Sequence, residues 1–146
     1  METQGADQRH HAVTDRGLAL ILISHVDRRV LPALSLAARL PEFDLKAVHL
    51  SFDPLESQQL ARDWMELGFA WIPLHITEPG DETFVDSVRS VVEEESEERS
   101  RVLVIVPELD LDRWWQTLLH RSTGRRIARS LQALHRVSTI VLPYAL

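Results

Sequence analysis

The stretch Leu18-Ala-Leu-Ile-Leu-Ile-Ser24 decides the fold. Leu18 to Ile23 is apolar without interruption. A strand of that kind shows no polar alternation, so it needs cover on both faces, as strands of parallel sheets have. The chain on either side supplies the cover. After the strand, Asp27 to Leu40 carries Val30, Leu31, Leu34, Ala37 and Ala38 at helical spacing. Pro32 is tolerated only in a first turn, which predicts a helix from near Arg28, with Asp27 as its cap and Pro41 as its stop.

The same alternation continues. Lys46 to Phe52 (KAVHLSF) reads as a second strand. Asp53-Pro54 is an N-cap followed by proline at the first helical position. Leu60, Trp64 and Leu67 then form an apolar stripe, and Gly68 ends the helix. Trp71 to Ile76 reads as a short third strand, at a sheet edge because Pro73 lacks a ladder donor. Thr83 caps a helix with Phe84, Val85, Val88, Val91 and Val92 on one side. Its acidic tail, Glu93 to Glu98, opposes the helix dipole, which predicts fraying. Arg101 to Val106 reads as the fourth strand. Pro107 to His120 holds a loop and a short helix. Ser122 caps a last helix with Ile127, Ala128, Leu131 and Leu134 inward, and Val137 to Leu142 reads as the fifth strand. Right-handed crossovers turn this order into a parallel, doubly wound α/β sheet. Residues 1–16 form a polar leader, expected to be disordered, and residues 17–146 a single domain.

Composition narrows the function. The 146 residues are 45% apolar, enough for a core, and contain no cysteine, which excludes disulfides, thiolate metal sites and a cysteine nucleophile. No apolar run approaches the roughly 20 residues of a membrane span, and the leader lacks the apolar region of a secretory signal. The chain therefore reads as cytoplasmic, with no membrane span. The net charge of −6 argues against a nucleic-acid polymer as partner. That charge is uneven. Glu78 to Arg99 holds nine acidic and two basic residues, whereas His120 to Arg136 holds five arginines and no acid.

The basic block opens a helix: His120-Arg121-Ser122-Thr123-Gly124-Arg125-Arg126. Free N–H groups, the positive dipole end, two hydroxyls and several guanidinium groups suit a phosphate. The plainer alternative is an N-cap followed by a solvated basic face. Ser24-His25-Val26-Asp27-Arg28-Arg29 occupies the first strand-to-helix turn, which touches the ligand in doubly wound nucleotide binders. Phe52-Asp53 and Pro107-Glu108-Leu109 end neighbouring strands on the same edge. Glu108, Asp110 and Asp112 alternate and could bind Mg²⁺ beside phosphate, although solvated loop acids are the simpler reading, so no metal is expected. The seven histidines form no metal-ligand pattern; His49 and His75 fall within strands and read as packed or capped. No serine lies in a G-x-S-x-G elbow, and no residue pair announces acid–base catalysis. Trp114-Trp115 with Leu118 and Leu119 reads as a lid or as an interface anchor.

VPELDLDRWWQTLLHRSTGRRIARSL, Val106 to Leu131, followed by VSTIVLPYAL, resembles the cytosolic C-terminal domain of bacterial amino acid permeases of the APC superfamily. LILISHVDRRVLPALSLAARL and KAVHLSFDP are also similar to it, so the resemblance runs from Gly17 to Leu146. It implies a universal-stress-protein-like, Rossmann-like sheet of order 3-2-1-4-5 that dimerises and regulates a transporter. The glycine-rich phosphate motif of ATP-binding universal stress proteins is missing, since Gly124 is the only glycine after Gly80. Some transporter-attached domains of this class bind cyclic di-AMP, whose two phosphates suit an arginine-rich helix start. The absence of the membrane part implies an excised domain or a free-standing homologue; the polar leader favours the latter.

The expectation is a non-enzymatic sensor of cyclic di-AMP, or less readily of ATP or AMP, without a cofactor. Ser24, His25, Val26, Asp27, Arg28, Arg29, Phe52, Asp53 and Pro107 would frame base and ribose. His120, Arg121, Ser122, Thr123, Arg125 and Arg126 would hold phosphate. Trp114, Trp115, Ile140, Leu142 and Tyr144 would form a homodimer or transporter interface, because an apolar edge strand tends to pair. The alternatives are an interaction domain without a small ligand, and a hydrolase using Glu108 or Asp112 with Mg²⁺.

Overall fold

The computed structural model describes residues 16–23, 26, 30–79, 83–107 and 123–142. In chain order these form β1 (Gly17–Leu22), α1 (Leu31–Ala38), β2 (Phe43–Leu50), α2 (Pro54–Glu66), β3 (Leu74–Thr77), α3 (Phe84–Ser96), β4 (Val102–Pro107), α4 (Thr123–Leu131) and β5 (Val137–Leu142). The strands make one sheet of order β3-β2-β1-β4-β5, and every pairing is parallel. The parallel, doubly wound sheet is the one the alternating apolar runs predict, and its order is the one the resemblance implies.

The continuous apolar stretch is buried from end to end, and its residues divide by parity, as strand side chains must. Leu18, Leu20 and Leu22 join Phe84, Val88, Val91 and Val92 of α3 and Ile127 and Leu131 of α4. Ile21 and Ile23 join Ala33, Leu34 and Ala37 of α1 and Leu60 and Trp64 of α2. Trp64 also hydrogen-bonds through its indole N–H to the Ile72 carbonyl at 3.0 Å, which satisfies its one polar atom inside the core.

Two predicted caps are present. Asp53 accepts from the Leu55 amide at 2.9 Å, with Pro54 beginning α2. Thr83 accepts from the Asp86 amide at the start of α3. Gly68 follows α2 with φ +82°, a conformation that disfavours a Cβ.

Several boundaries differ from the sequence reading. α1 starts at Leu31 rather than near Arg28, and Val30, not Asp27, holds the cap position without a side-chain hydrogen bond. Pro32 pins this start, because a proline further into the helix would remove an internal hydrogen bond. β2 starts at Phe43 and ends at Leu50, so Phe52 lies beyond the strand. Gly17 pairs with Phe43 in register, which draws the polar Asp44 into the ladder. β3 starts at Leu74; Trp71 precedes it and is 63% exposed. β3 does lie at the sheet edge, but Pro73 precedes the strand, where only its carbonyl bonds, to the Ala47 amide. Leu67 is exposed, because the chain turns away there and Phe69 packs against Trp64 instead. α3 continues to Ser96 through part of its acidic tail, where Arg89 pairs with Glu93 and Lys46 with Glu95. β4 is displaced by one residue and includes Pro107. Arg16, counted with the leader, is tied to the domain by Asp44 at 2.8 Å.

Candidate functional site

The carboxyl edge of the sheet is where the order of strands reverses, since β1 lies between β2 and β4. α1 and α2 pack on one face of the sheet, α3 and α4 on the other. In doubly wound sheets a crevice opens past the strand ends at such a reversal. The described residues at the strand ends there are Ile23 and Val26 after β1, Phe52 and Asp53 after β2, and Pro107 at the end of β4.

Phe52 is 46% exposed, and its ring centroid stands 6.0 Å from that of Phe84 at the start of α3. An exposed aromatic face at a strand end can stack a planar ring. Asp53 is committed by one carboxylate oxygen to capping α2. Pro107 is buried, so it forms the floor.

Beneath this edge lies a buried polar network. His49 is 1% exposed; its Nδ1 meets the Ile23 carbonyl at 2.9 Å and its Nε2 meets Ser57 Oγ at 3.1 Å. Because a carbonyl can only accept, the Nδ1–H donates. Ser57 Oγ is also within hydrogen-bond distance of Ser51 Oγ and of the Asp53 carbonyl, its single proton serving one partner at a time. The network therefore joins the end of β1, the end of β2 and the first turn of α2. The sequence showed His49 as packed or capped, but not these partners. The available signal was a histidine at an inward strand position followed by a serine in the next helical turn.

α4 supplies the basic part. Arg125 and Arg126 are exposed while Ile127 and Leu131 point into the core, and the first turn holds no acid. Among the described residues neither arginine has an ion-pair partner. Arg129 follows Arg125 one turn later and is also exposed. Ile140 of β5 is 36% exposed, whereas Val141 and Leu142 pack partly against the core.

Ser24, His25, Asp27, Arg28, Arg29, Glu108, Asp110, Asp112, Trp114, Trp115, His120, Arg121, Ser122 and Tyr144, together with the side chain of Thr123, lie outside the described residues. Among the described residues no group of three His, Asp or Glu side chains could hold a metal ion, and no helix is long and apolar enough to cross a membrane.

The fold is a doubly wound, all-parallel α/β domain. Residues 14–144 match the family model of the KimA potassium transporter C-terminal domain, and the chain belongs to that family. The match is to a transporter's C-terminal domain, as the resemblance implied; the transporter it names carries potassium. A search of curated proteins returns no match. Among solved structures the chain is similar to the U34-tRNA thiolase NcsA from Methanococcus maripaludis with its 4Fe-4S cluster, at 13% identity and a TM-score of 0.46. The similarity covers 87% of this chain and 52% of that one, so the chain spans about half the length of that structure.

Proposed function

We propose that this domain is the non-catalytic regulatory part of a potassium transporter, and that it senses cyclic di-AMP at the carboxyl edge of its sheet. The observation that carries the reading is the reversal of strand order beside a helix whose described arginines, Arg125 and Arg126, are exposed and whose first turn holds no acid. A crevice of this kind admits a nucleotide, and guanidinium groups at a helix start grip phosphate bidentately. Base and ribose fall to Ser24, His25, Val26, Asp27, Arg28, Arg29, Phe52, Asp53 and Pro107. The phosphates fall to His120, Arg121, Ser122, Thr123, Arg125 and Arg126. With an arginine-rich helix start and no glycine-rich loop, the site suits the two phosphates of cyclic di-AMP better than the triphosphate chain of ATP. The domain works on the cytoplasmic side of the membrane in this reading.

Titration calorimetry with cyclic di-AMP, ATP, AMP and cyclic AMP tests it. Saturable heat is expected with cyclic di-AMP first. No heat with any of the four, at tens of micromolar protein, overturns nucleotide sensing; phosphate release from ATP overturns the non-catalytic part.

A second reading rests on β5. It ends the sheet, and Ile140 is exposed on it. An unpaired edge strand favours pairing with a second copy or with the transporter. A monomer by light scattering at high concentration removes the homodimer.

A further inference from the structure

A groove between α3 and the β3 edge belongs neither to the crevice nor to the ion pairs of the amino edge. Ser87, Val91 and Glu94 recur along one face of α3, and Thr77 and Glu78 at the end of β3 stand opposite. With Leu50 they line a half-open groove of about 130 Å³. A single water needs only about 10–15 Å³, so the space takes a group of several heavy atoms.

Two independent observations identify the occupant. The first is charge. Among the described residues the polar side chains of the lining are oxygen throughout, with two carboxylates and no cation. Neighbouring acids on α3 are already paired, Glu93 with Arg89 and Glu95 with Lys46, whereas Glu78 and Glu94 have no ion-pair partner among the described residues. The second is Ser87. It is 4% exposed, and its Oγ is buried without a hydrogen-bond partner among the described residues. Buried hydroxyls are almost always satisfied, so this one marks a place for a polar group that enters the groove.

We infer that the groove binds a small primary ammonium compound with an unbranched alkyl tail. A primary ammonium has three N–H donors and no acceptor. The Glu78 and Glu94 carboxylates and the Ser87 hydroxyl provide three acceptors, and Leu50 and Val91 accommodate the alkyl part. A quaternary ammonium lacks the donors, a bare alkali ion leaves the apolar wall uncovered, and an amino acid adds a third carboxylate to two. This inference is independent of the nucleotide reading, because it uses none of the same residues.

Amide NMR of the full chain, titrated with n-butylammonium chloride at constant ionic strength, tests it. Saturable shifts are expected at Thr77, Glu78 and from Ser87 to Glu94, with millimolar affinity. Glu94→Gln, at an exposed position that leaves the fold intact, is expected to weaken binding about tenfold, the scale of one charge-assisted hydrogen bond. Ser87→Ala is expected to weaken it as well, and γ-aminobutyrate, tetramethylammonium and potassium are expected to give little response. The absence of saturable shifts, an equal response to tetramethylammonium or potassium, or unchanged binding in folded Glu94→Gln would each overturn the inference.

Discussion

The two edges of the sheet use their cations differently. At the amino edge the described cations beside the starts of β1, β2 and β4 are paired with acids, whereas Arg136 before β5 is not. Asp44 takes Arg16 at 2.8 Å and Arg99 at 2.6 Å; Glu42 takes Arg101 at 2.6 Å, whose guanidinium also lies 5.0 Å over the Phe43 ring; and Lys46 takes Glu95. Toward the carboxyl edge, Arg125 and Arg126 have no ion-pair partner among the described residues, and the described polar bonding is buried instead, in the chain from Ile23 through His49 to Ser57 and Ser51. Under the proposed function this contrast matters, because a paired arginine would have to give up its carboxylate before it met a phosphate.

The sharpest way to break this comparison is to remove the buried support. His49→Ala takes away the link between β1, β2 and α2 and leaves a cavity and an orphaned carbonyl. Urea denaturation is expected to show a loss of about 3 kcal/mol, the sum of a cavity and a lost buried hydrogen bond. Next comes the crevice itself. Arg125→Ala and Arg126→Ala are each expected to weaken cyclic di-AMP by about 1–3 kcal/mol in calorimetry, with an unchanged melting temperature. A fall in stability without a change in affinity would reverse the roles given to the two edges. Gly17→Ala acts at the amino edge. A Cβ there would meet the Phe43 ring at 2.5 Å and push it from its place under Arg101. The ring can swing, so thermal melting is expected to show a loss of about 1–2 kcal/mol, with ligand affinity intact.

The smallest effect concerns Asp44. Hydrogen bonds from Arg99, then from Arg16, hold its carboxyl below its ordinary value of 3.8. A lowered native value means that the unfolded chain takes up the proton first. The stabilisation is therefore present above the ordinary value and lost as the pH falls through the native one. Because the pairs are partly exposed, Asp44→Asn is expected to lower stability by at most about 1 kcal/mol at neutral pH. The difference from the unsubstituted protein should vanish on acidification below the carboxylate range. A difference that persists in acid would assign Asp44 a role other than charge.

What was legible in the residues was what neighbours along the chain determine. Uninterrupted apolar runs found the strands, and Asp53-Pro54 and Thr83 marked two helix starts, because those effects act within a turn or a pleat. The start of β2 was not legible. Asp44 looks like loop until Arg16 and Arg99, far away in sequence, are brought to it. Leu67 continued a periodic stripe on paper, yet the helix ends at Glu66 and the next residue faces water. The candidate site divided in the same way. The arginines of α4 announce themselves by composition, whereas the His49–Ser57 contact joins two elements whose relative placement only packing decides. The Ser87 groove was missed for that reason too, since its two carboxylates come from different elements.

The position of β1 also bears on how the chain folds. It is the central strand of the sheet, hydrogen-bonded on one side to β2 and on the other to β4, with Leu18 opposite Val102. The β1–α1–β2 unit can form from local contacts, but its Leu18, Leu20 and Leu22 face stays bare until α3, β4 and α4 arrive. Closing that long loop places the slow step late and makes the two halves fold as one cooperative unit. The amides of Leu20 and Ile21 then exchange with solvent only when the whole domain opens, which makes them its internal clock for global unfolding.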